Sequence, residues 1–155
     1  MLATTIGEVM ARQYDRVWGS FRDAISKFSD AQWRTSDCDW LTPIRLAYHV
    51  VETAEFYSRE SPKSAKETLN WDEGPVEQLL AQQQLLEYID RVQPMVREWL
   101  MCCDDKTFLS PEIEFPWTGE TRLDHAVYSL RHMQHHLGQI NAELRRRGLP
   151  RGEWA

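Results

Sequence analysis

Cysteine is scarce in this sequence, and no two cysteines have the CxxC spacing. The three that occur are Cys38, Cys102 and Cys103 in a chain of 155 residues. An odd number without paired spacing predicts neither a disulfide framework nor a zinc site built from thiolates. Adjacent residues of a helix point in different directions, and a disulfide between neighbours is strained. We therefore expect Cys102 and Cys103 to serve packing near a helix end.

Long apolar runs are also missing. No stretch approaches the roughly 18 consecutive apolar residues that suggest a transmembrane helix. Residues 1–16 lack the basic and apolar regions of a signal peptide. We expect a cytoplasmic protein that does not bind membranes.

Basic residues are outnumbered by acidic ones. Lysine and arginine total 18 against 24 aspartates and glutamates, so the formal net charge is -6. An acidic chain repels the phosphate backbone, which argues against a nucleic-acid partner. The hydrophobic fraction of 42% is that of an ordinary globular protein. The length suits a single domain over residues 1–155 with one hydrophobic core.

Four long segments have the apolar periodicity of amphipathic helices, and no segment has the pattern of a strand. They cover approximately residues 4–28, 42–59, 75–103 and 121–147. A short turn is expected near residues 29–33, and loops are expected over residues 61–74, including Trp71, and 104–119. The simplest fold for this pattern is an all-α four-helix bundle.

Proline, threonine and glycine mark the ends of these helices. Thr42 is a suitable N-cap for the second helix, and Pro43 suits its first position. Pro94 lies inside the third helix and is expected to kink it. Gly148 followed by Pro150 predicts the end of the fourth helix.

Three histidines form a candidate metal site. His132 and His136 are four residues apart in the fourth helix, so their Cβ atoms are expected ~5–6 Å apart on one face. Two imidazoles at this spacing can bind one metal ion. His49 in the second helix is a third candidate ligand. Three protein ligands leave a coordination position for water, as in catalytic zinc sites.

Simpler explanations remain open for each of these histidines. A pair four residues apart is common on solvated helix faces, and His49 can be a hydrogen-bonded core residue. The three converge only if the second helix faces the fourth, which periodicity cannot show. His135 points about 100° away from His136 and is expected outside the site.

Two motifs resemble the DinB-like family of four-helix-bundle proteins. The run His132-Met-Gln-His-His-Leu-Gly-Gln139 is similar to the fourth-helix motif of that family. The segment from Trp40 to Glu52 resembles its second helix, in which a proline opens a helix that carries one histidine and often an acidic residue. The resemblance extends over nearly the whole chain.

The resemblance implies an up-down-down-up bundle with a long crossover, often dimeric. It also implies a divalent metal, zinc or nickel, bound by His49, His132 and His136. The family includes transferases that join low-molecular-weight thiols to electrophiles, and also members without an assigned reaction. The expected partners are therefore a small-molecule substrate, a low-molecular-weight thiol and a second copy of the chain.

Several residues are candidates for roles around the metal. Glu52 can accept a proton or orient a ligand, or it can form a salt bridge with an arginine. Gln139 can bond to a ligand imidazole or fill a polar gap. Trp40 and Trp117, which precede helices, can line a pocket or cap the core.

Three functions are compatible with such a site. The first is thiol S-transfer, in which the metal deprotonates a coordinated thiol. The second is hydrolysis of small substrates, although no glutamate lies between His132 and His136 to act as a base. The third is a non-catalytic metal-binding or dimerisation module, for which a fourth protein ligand such as Cys38 or His125 would close the site.

Overall fold

Helices make up the regular structure of the described part of the chain. The structure, a computed structural model, describes residues 4–62 and 75–154. Across these ranges there are no strands, so the predicted all-α class is confirmed. None of the helices in these ranges combines the length and the hydrophobicity of a membrane span. The α-helices are α1 (Ile6–Ser26), α2 (Asp30–Trp33), α3 (Pro43–Tyr57), α4 (Gln82–Met101), α5 (Asp105–Phe108) and α6 (Arg122–Arg146).

The four long helices pack around one core. Helices α1 and α3 each contact both α4 and α6. Each long helix contributes fully buried side chains, including Phe21, Ile44, Leu85 and Leu144. Burying one such side chain stabilises the fold by about 1.5–3 kcal/mol. Ion pairs join α1 to α4 at the surface, where Asp15 pairs with Arg97 and Arg22 pairs with Asp90.

Side-chain caps begin the first and last of the long helices. The Thr5 hydroxyl accepts from the backbone N–H of Glu8, whose carboxylate accepts from the Thr5 N–H in return. Thr121 and Asp124 form the same reciprocal pair before α6. Such caps satisfy backbone donors that have no partner inside the helix. Thr42 occupies the predicted N-cap position of α3, but its side chain makes no capping hydrogen bond.

Helix α4 begins later than predicted. The sequence predicts a start at residue 75, whereas the helix begins at Gln82 after a 3₁₀ turn. The Trp33 indole donates to the Leu80 carbonyl at 3.2 Å, and Arg34 donates to the Val76 carbonyl at 2.7 Å. These tertiary bonds take up carbonyls that a helix would use internally. The intervening segment is therefore held against α2 and does not extend α4.

The other predicted helix boundaries agree within about two residues. α4 continues through Pro94 to Met101, and the predicted kink stays a prediction. The following connection, a predicted loop, contains the short helix α5. The Asp104 carboxylate caps α5 by accepting from the Thr107 N–H. Gly148 ends α6 in the left-handed region at a φ of 69°. The loop prediction around Trp71 falls on residues 63–74, outside the described residues.

The buried face of α6 differs in part from the predicted one. Val127 belongs to the apolar pattern of the fourth predicted helix but is 37% exposed, whereas His125 and Ser129 are buried. Burial of His125 is tolerated because both ring nitrogens have polar neighbours: Nε2 lies 2.8 Å from the Tyr57 carbonyl and Nδ1 lies 3.2 Å from the Thr118 hydroxyl. The spacing of apolar residues alone therefore does not identify a buried helix face that includes a hydrogen-bonded histidine.

Candidate metal centre

His49, His132 and His136 meet where α3 packs against α6. One ring nitrogen from each lies within 4.8 Å of the other two, and all three residues are partly exposed. The ring centroids are 4.5 to 4.9 Å apart. Two adjacent turns of α6 supply two of the rings, and the facing side of α3 supplies the third. We call these residues the three-histidine cluster.

The tautomer of His136 is set by Gln139. The Nδ1 atom of His136 lies 2.7 Å from the Gln139 side-chain oxygen, one turn further along α6. An amide oxygen can only accept, so Nδ1 carries the proton. Nε2 of the neutral ring then presents a lone pair to the cluster.

The tautomer of His132 is set by Thr53 on α3. The Thr53 hydroxyl donates its hydrogen to the His49 carbonyl at 2.7 Å. It lies 3.2 Å from Nδ1 of His132, where it can then act only as an acceptor. His132 therefore also carries its proton on Nδ1 and directs a lone pair from Nε2.

The two Nε2 atoms face each other in a geometry that suits a cation. They are 3.2 Å apart. With both protons on Nδ1, neither Nε2 can donate to the other. Two nitrogens bound to one tetrahedral zinc at 2.0–2.1 Å lie about 3.3 Å apart. The separation, the lone-pair directions and the third nearby imidazole together fit a divalent metal ion, with Thr53 and Gln139 as the outer acceptors that metal-bound histidines usually have.

Burial and mutual repulsion keep these rings uncharged. Removal from water lowers the pKa of His49 to about 3, with further contributions from His136 and His132. The pKa of His132 is lowered to about 4, mainly by burial and then by His136 and His135. Burial also lowers the pKa of His136, although the hydrogen bond to Gln139 opposes this. The neutral imidazole is the form that binds a metal.

Neither Cys38 nor His125 closes the cluster with a fourth ligand. Within residues 4–62 and 75–154, the potential metal-binding group consists of the three histidines. His125 has a hydrogen bond of its own to the Tyr57 carbonyl and lies near the Thr118 hydroxyl, and its ring stacks on Phe115 at 4.5 Å. His135 is exposed, in agreement with the sequence prediction.

The remaining candidate residues differ in how far they are buried. Glu52 is buried on α3, one turn after His49. Burial and then the hydrogen bond to Glu55 raise the pKa of Tyr88 on α4, and the charge of Glu52 makes a smaller contribution. Trp40 and Trp117 are 56% and 53% exposed, so neither caps the core. Trp117 packs edge-on against Phe115. Their proposed part in a substrate pocket stays a prediction.

Sequence reasoning missed Thr53. Its position four residues after His49 places both on one face of α3, and this spacing is the signal that identifies it. A threonine that bonds to the carbonyl four residues earlier is common in helices, so the residue did not stand out. Its contact with His132 comes from packing between helices.

Comparison with protein families agrees with this fold and with the cluster. Residues 13–140 match the DinB superfamily, a range that runs from within α1 through most of α6 and contains all three histidines. Comparison with curated protein sequences gives no match. The family resemblance predicted from the motifs around His49 and His132 is thereby confirmed. The chain belongs to the DinB superfamily.

Proposed function

We propose that this protein is a metal-dependent enzyme that transfers a low-molecular-weight thiol to a small electrophile, with zinc or nickel bound by the three-histidine cluster. The observation that carries the proposal is the convergence of His49 with two Nε2 lone pairs held 3.2 Å apart. The partial exposure of all three residues supports access by small molecules.

The charge of the ligand set favours catalysis over structural binding. Three neutral imidazoles leave the double positive charge of a metal uncompensated by protein. A divalent metal in such a site supplies Lewis acidity, which deprotonates a coordinated thiol or lowers the pKa of a coordinated water to about 7. Structural zinc sites usually have four protein ligands, often thiolates.

The surrounding residues have separate tasks in this proposal. Thr53 and Gln139 hold the protons of His132 and His136 on Nδ1, which keeps both Nε2 atoms available. The Glu52 carboxylate, on the same helix face as His49, accepts the proton released by the thiol. Its position on α3, one turn after His49, supports this role.

We also propose the up-down-down-up order of the bundle with a long crossover between α3 and α4. The reversed order of the ion-paired residues along α1 and α4 supports opposite directions for these two helices. His49 contacts His136 and Tyr57 contacts His125, which supports opposite directions for α3 and α6. The homodimer and the cytoplasmic location stay predictions from the sequence.

Thiol consumption tests the proposed reaction. Purified protein loaded with zinc or nickel is incubated with a series of small thiols and a generic electrophile, with and without a chelator. We expect thiol loss that the chelator abolishes and that His136→Ala lacks. Metal analysis and circular dichroism of His136→Ala should show loss of metal with retained helix content. Bound metal without thiol dependence across the series would reject S-transfer in favour of hydrolysis or simple metal binding.

A further inference from the structure

The two adjacent cysteines at the end of α4 do not point apart as the sequence predicted. The sulfur atoms of Cys102 and Cys103 lie 3.9 Å apart. Cys102 closes the last turn of α4, where its thiol donates to the Trp99 carbonyl at 3.1 Å. Its exposed side chain also contradicts the expectation that both cysteines serve packing, although Cys103 does pack partly against the core.

The cysteines open into a cavity. Its volume is about 420 Å³, and it lies between the end of α4, the α5–α6 connection and the residues after α3. Aromatic side chains of Trp99, Phe108 and Phe115 contribute to its wall. The three-histidine cluster does not line it. The thiols therefore border a space that can hold an organic group, separate from the metal centre.

The distance between the sulfurs fits a centre that binds both. Two thiolates bound to one tetrahedral ion at a metal–sulfur distance near 2.3 Å lie about 3.8 Å apart. We propose that Cys102 and Cys103 form a vicinal dithiol site for a soft, thiophilic centre, either trivalent arsenic carrying an organic group or a soft divalent cation. Thiolate is the ligand type that such centres prefer.

Binding of either kind of ligand to the two thiols requires no oxidant. With an organoarsenical RAs(OH)2, each sulfur replaces one hydroxyl on arsenic, so that two As–S bonds form and two waters leave. With a divalent cation, the two thiols lose two protons to solvent. Burial and then the neighbouring Cys102 raise the pKa of the Cys103 thiol, so binding must displace its proton. Arg122, which lines the same cavity, acts in the opposite direction because its positive charge favours the thiolate.

Intact mass spectrometry with phenylarsine oxide tests the binding of trivalent arsenic. We expect one adduct per chain that survives excess monothiol and is removed by a small dithiol. Cys102→Ser or Cys103→Ser should lower the apparent affinity by about 10²–10⁴, because the second bond becomes intramolecular only when both thiols are present. The control Cys38→Ser should keep the adduct. No adduct, or an adduct that survives in either single variant, would overturn the proposed binding of arsenic by both sulfurs.

Cadmium titration tests the binding of a soft divalent cation. Thiolate-to-cadmium charge-transfer absorption reports sulfur ligands, whereas histidine ligands do not produce it. We expect this absorption in the natural protein and in His136→Ala, and its loss in Cys102→Ser. Retained thermal unfolding in the serine variants shows that loss of binding is not loss of fold. If neither probe binds both sulfurs, the dithiol site does not exist, and the three-histidine cluster is unaffected by that result.

Discussion

Replacing Thr53 with valine removes one oxygen from the outer shell of the three-histidine cluster and keeps the shape of the side chain. In the natural protein this oxygen accepts the Nδ1–H of His132, because its own hydrogen is donated to the His49 carbonyl. Valine offers no acceptor. The His132 ring is then free to exchange tautomers or to rotate, and both changes remove the lone pair of Nε2 from the cluster.

The expected magnitude follows from that one lost hydrogen bond. A buried donor without a partner costs about 1–3 kcal/mol. Loss of an acceptor behind a metal-bound histidine typically lowers metal affinity 10–100-fold. We therefore expect Thr53→Val to bind zinc about 10–100-fold more weakly than the natural protein. Thr53→Ser retains the oxygen and should retain most of the affinity.

A second threonine in the chain provides a matched control. Thr118 lies 3.2 Å from Nδ1 of His125, the same separation as between Thr53 and His132, but outside the cluster. Zinc affinity is measured by competition with a chromophoric chelator, and stability by thermal unfolding. Thr118→Val should lower stability without changing zinc affinity. Unchanged affinity in Thr53→Val, or equal weakening in both valine variants, would refute the assignment of Thr53.

Further predictions concern the stability of the fold. Hydrogen bonds from Arg146 and then Arg147 lower the pKa of the buried Glu143 carboxylate to about 2. The contribution of ionised Glu143 to the stability of the fold is therefore complete above about pH 4.5 and is lost as the pH falls through 2. Glu143→Gln should lower the unfolding free energy at pH 7 by at most about 3 kcal/mol and flatten this acid dependence in denaturant titrations. A Cβ at Gly7 would lie 2.5 Å from the backbone oxygen of Leu100, so Gly7→Ala should destabilise the fold by about 1–3 kcal/mol. As a control, a Cβ at Gly19 in the same helix would meet open space, so Gly19→Ala should stabilise the fold. A stabilising Gly7→Ala would contradict the close packing of α1 on α4.

The helices were predictable where local chemistry decides them. The apolar residues of α1 from Met10 to Ile25 are all buried, and the fourth helix starts and ends as Thr121 and Gly148 indicate. The start of α4 was not predictable, because bonds from Trp33 and Arg34 to its leading segment depend on the tertiary fold.

Part of the candidate site was also predictable from the sequence, and part depends on the tertiary structure. The pairing of His132 with His136 follows from their spacing on one helix. The approach of His49 depends on how α3 packs against α6, and only the family resemblance pointed to it before the structure. The contact of Thr53 with His132, and the rotamers that bring Cys102 and Cys103 together, depend on side-chain positions that no periodicity encodes.

X-ray absorption spectroscopy of the zinc-loaded protein counts the imidazoles around the metal, so it measures whether the three histidines bind one ion. We expect one zinc per chain with three imidazole ligands, one of which is lost in His49→Ala. A zinc environment dominated by sulfur, or an imidazole count that His49→Ala leaves unchanged, would contradict the convergence of the three histidines on one ion.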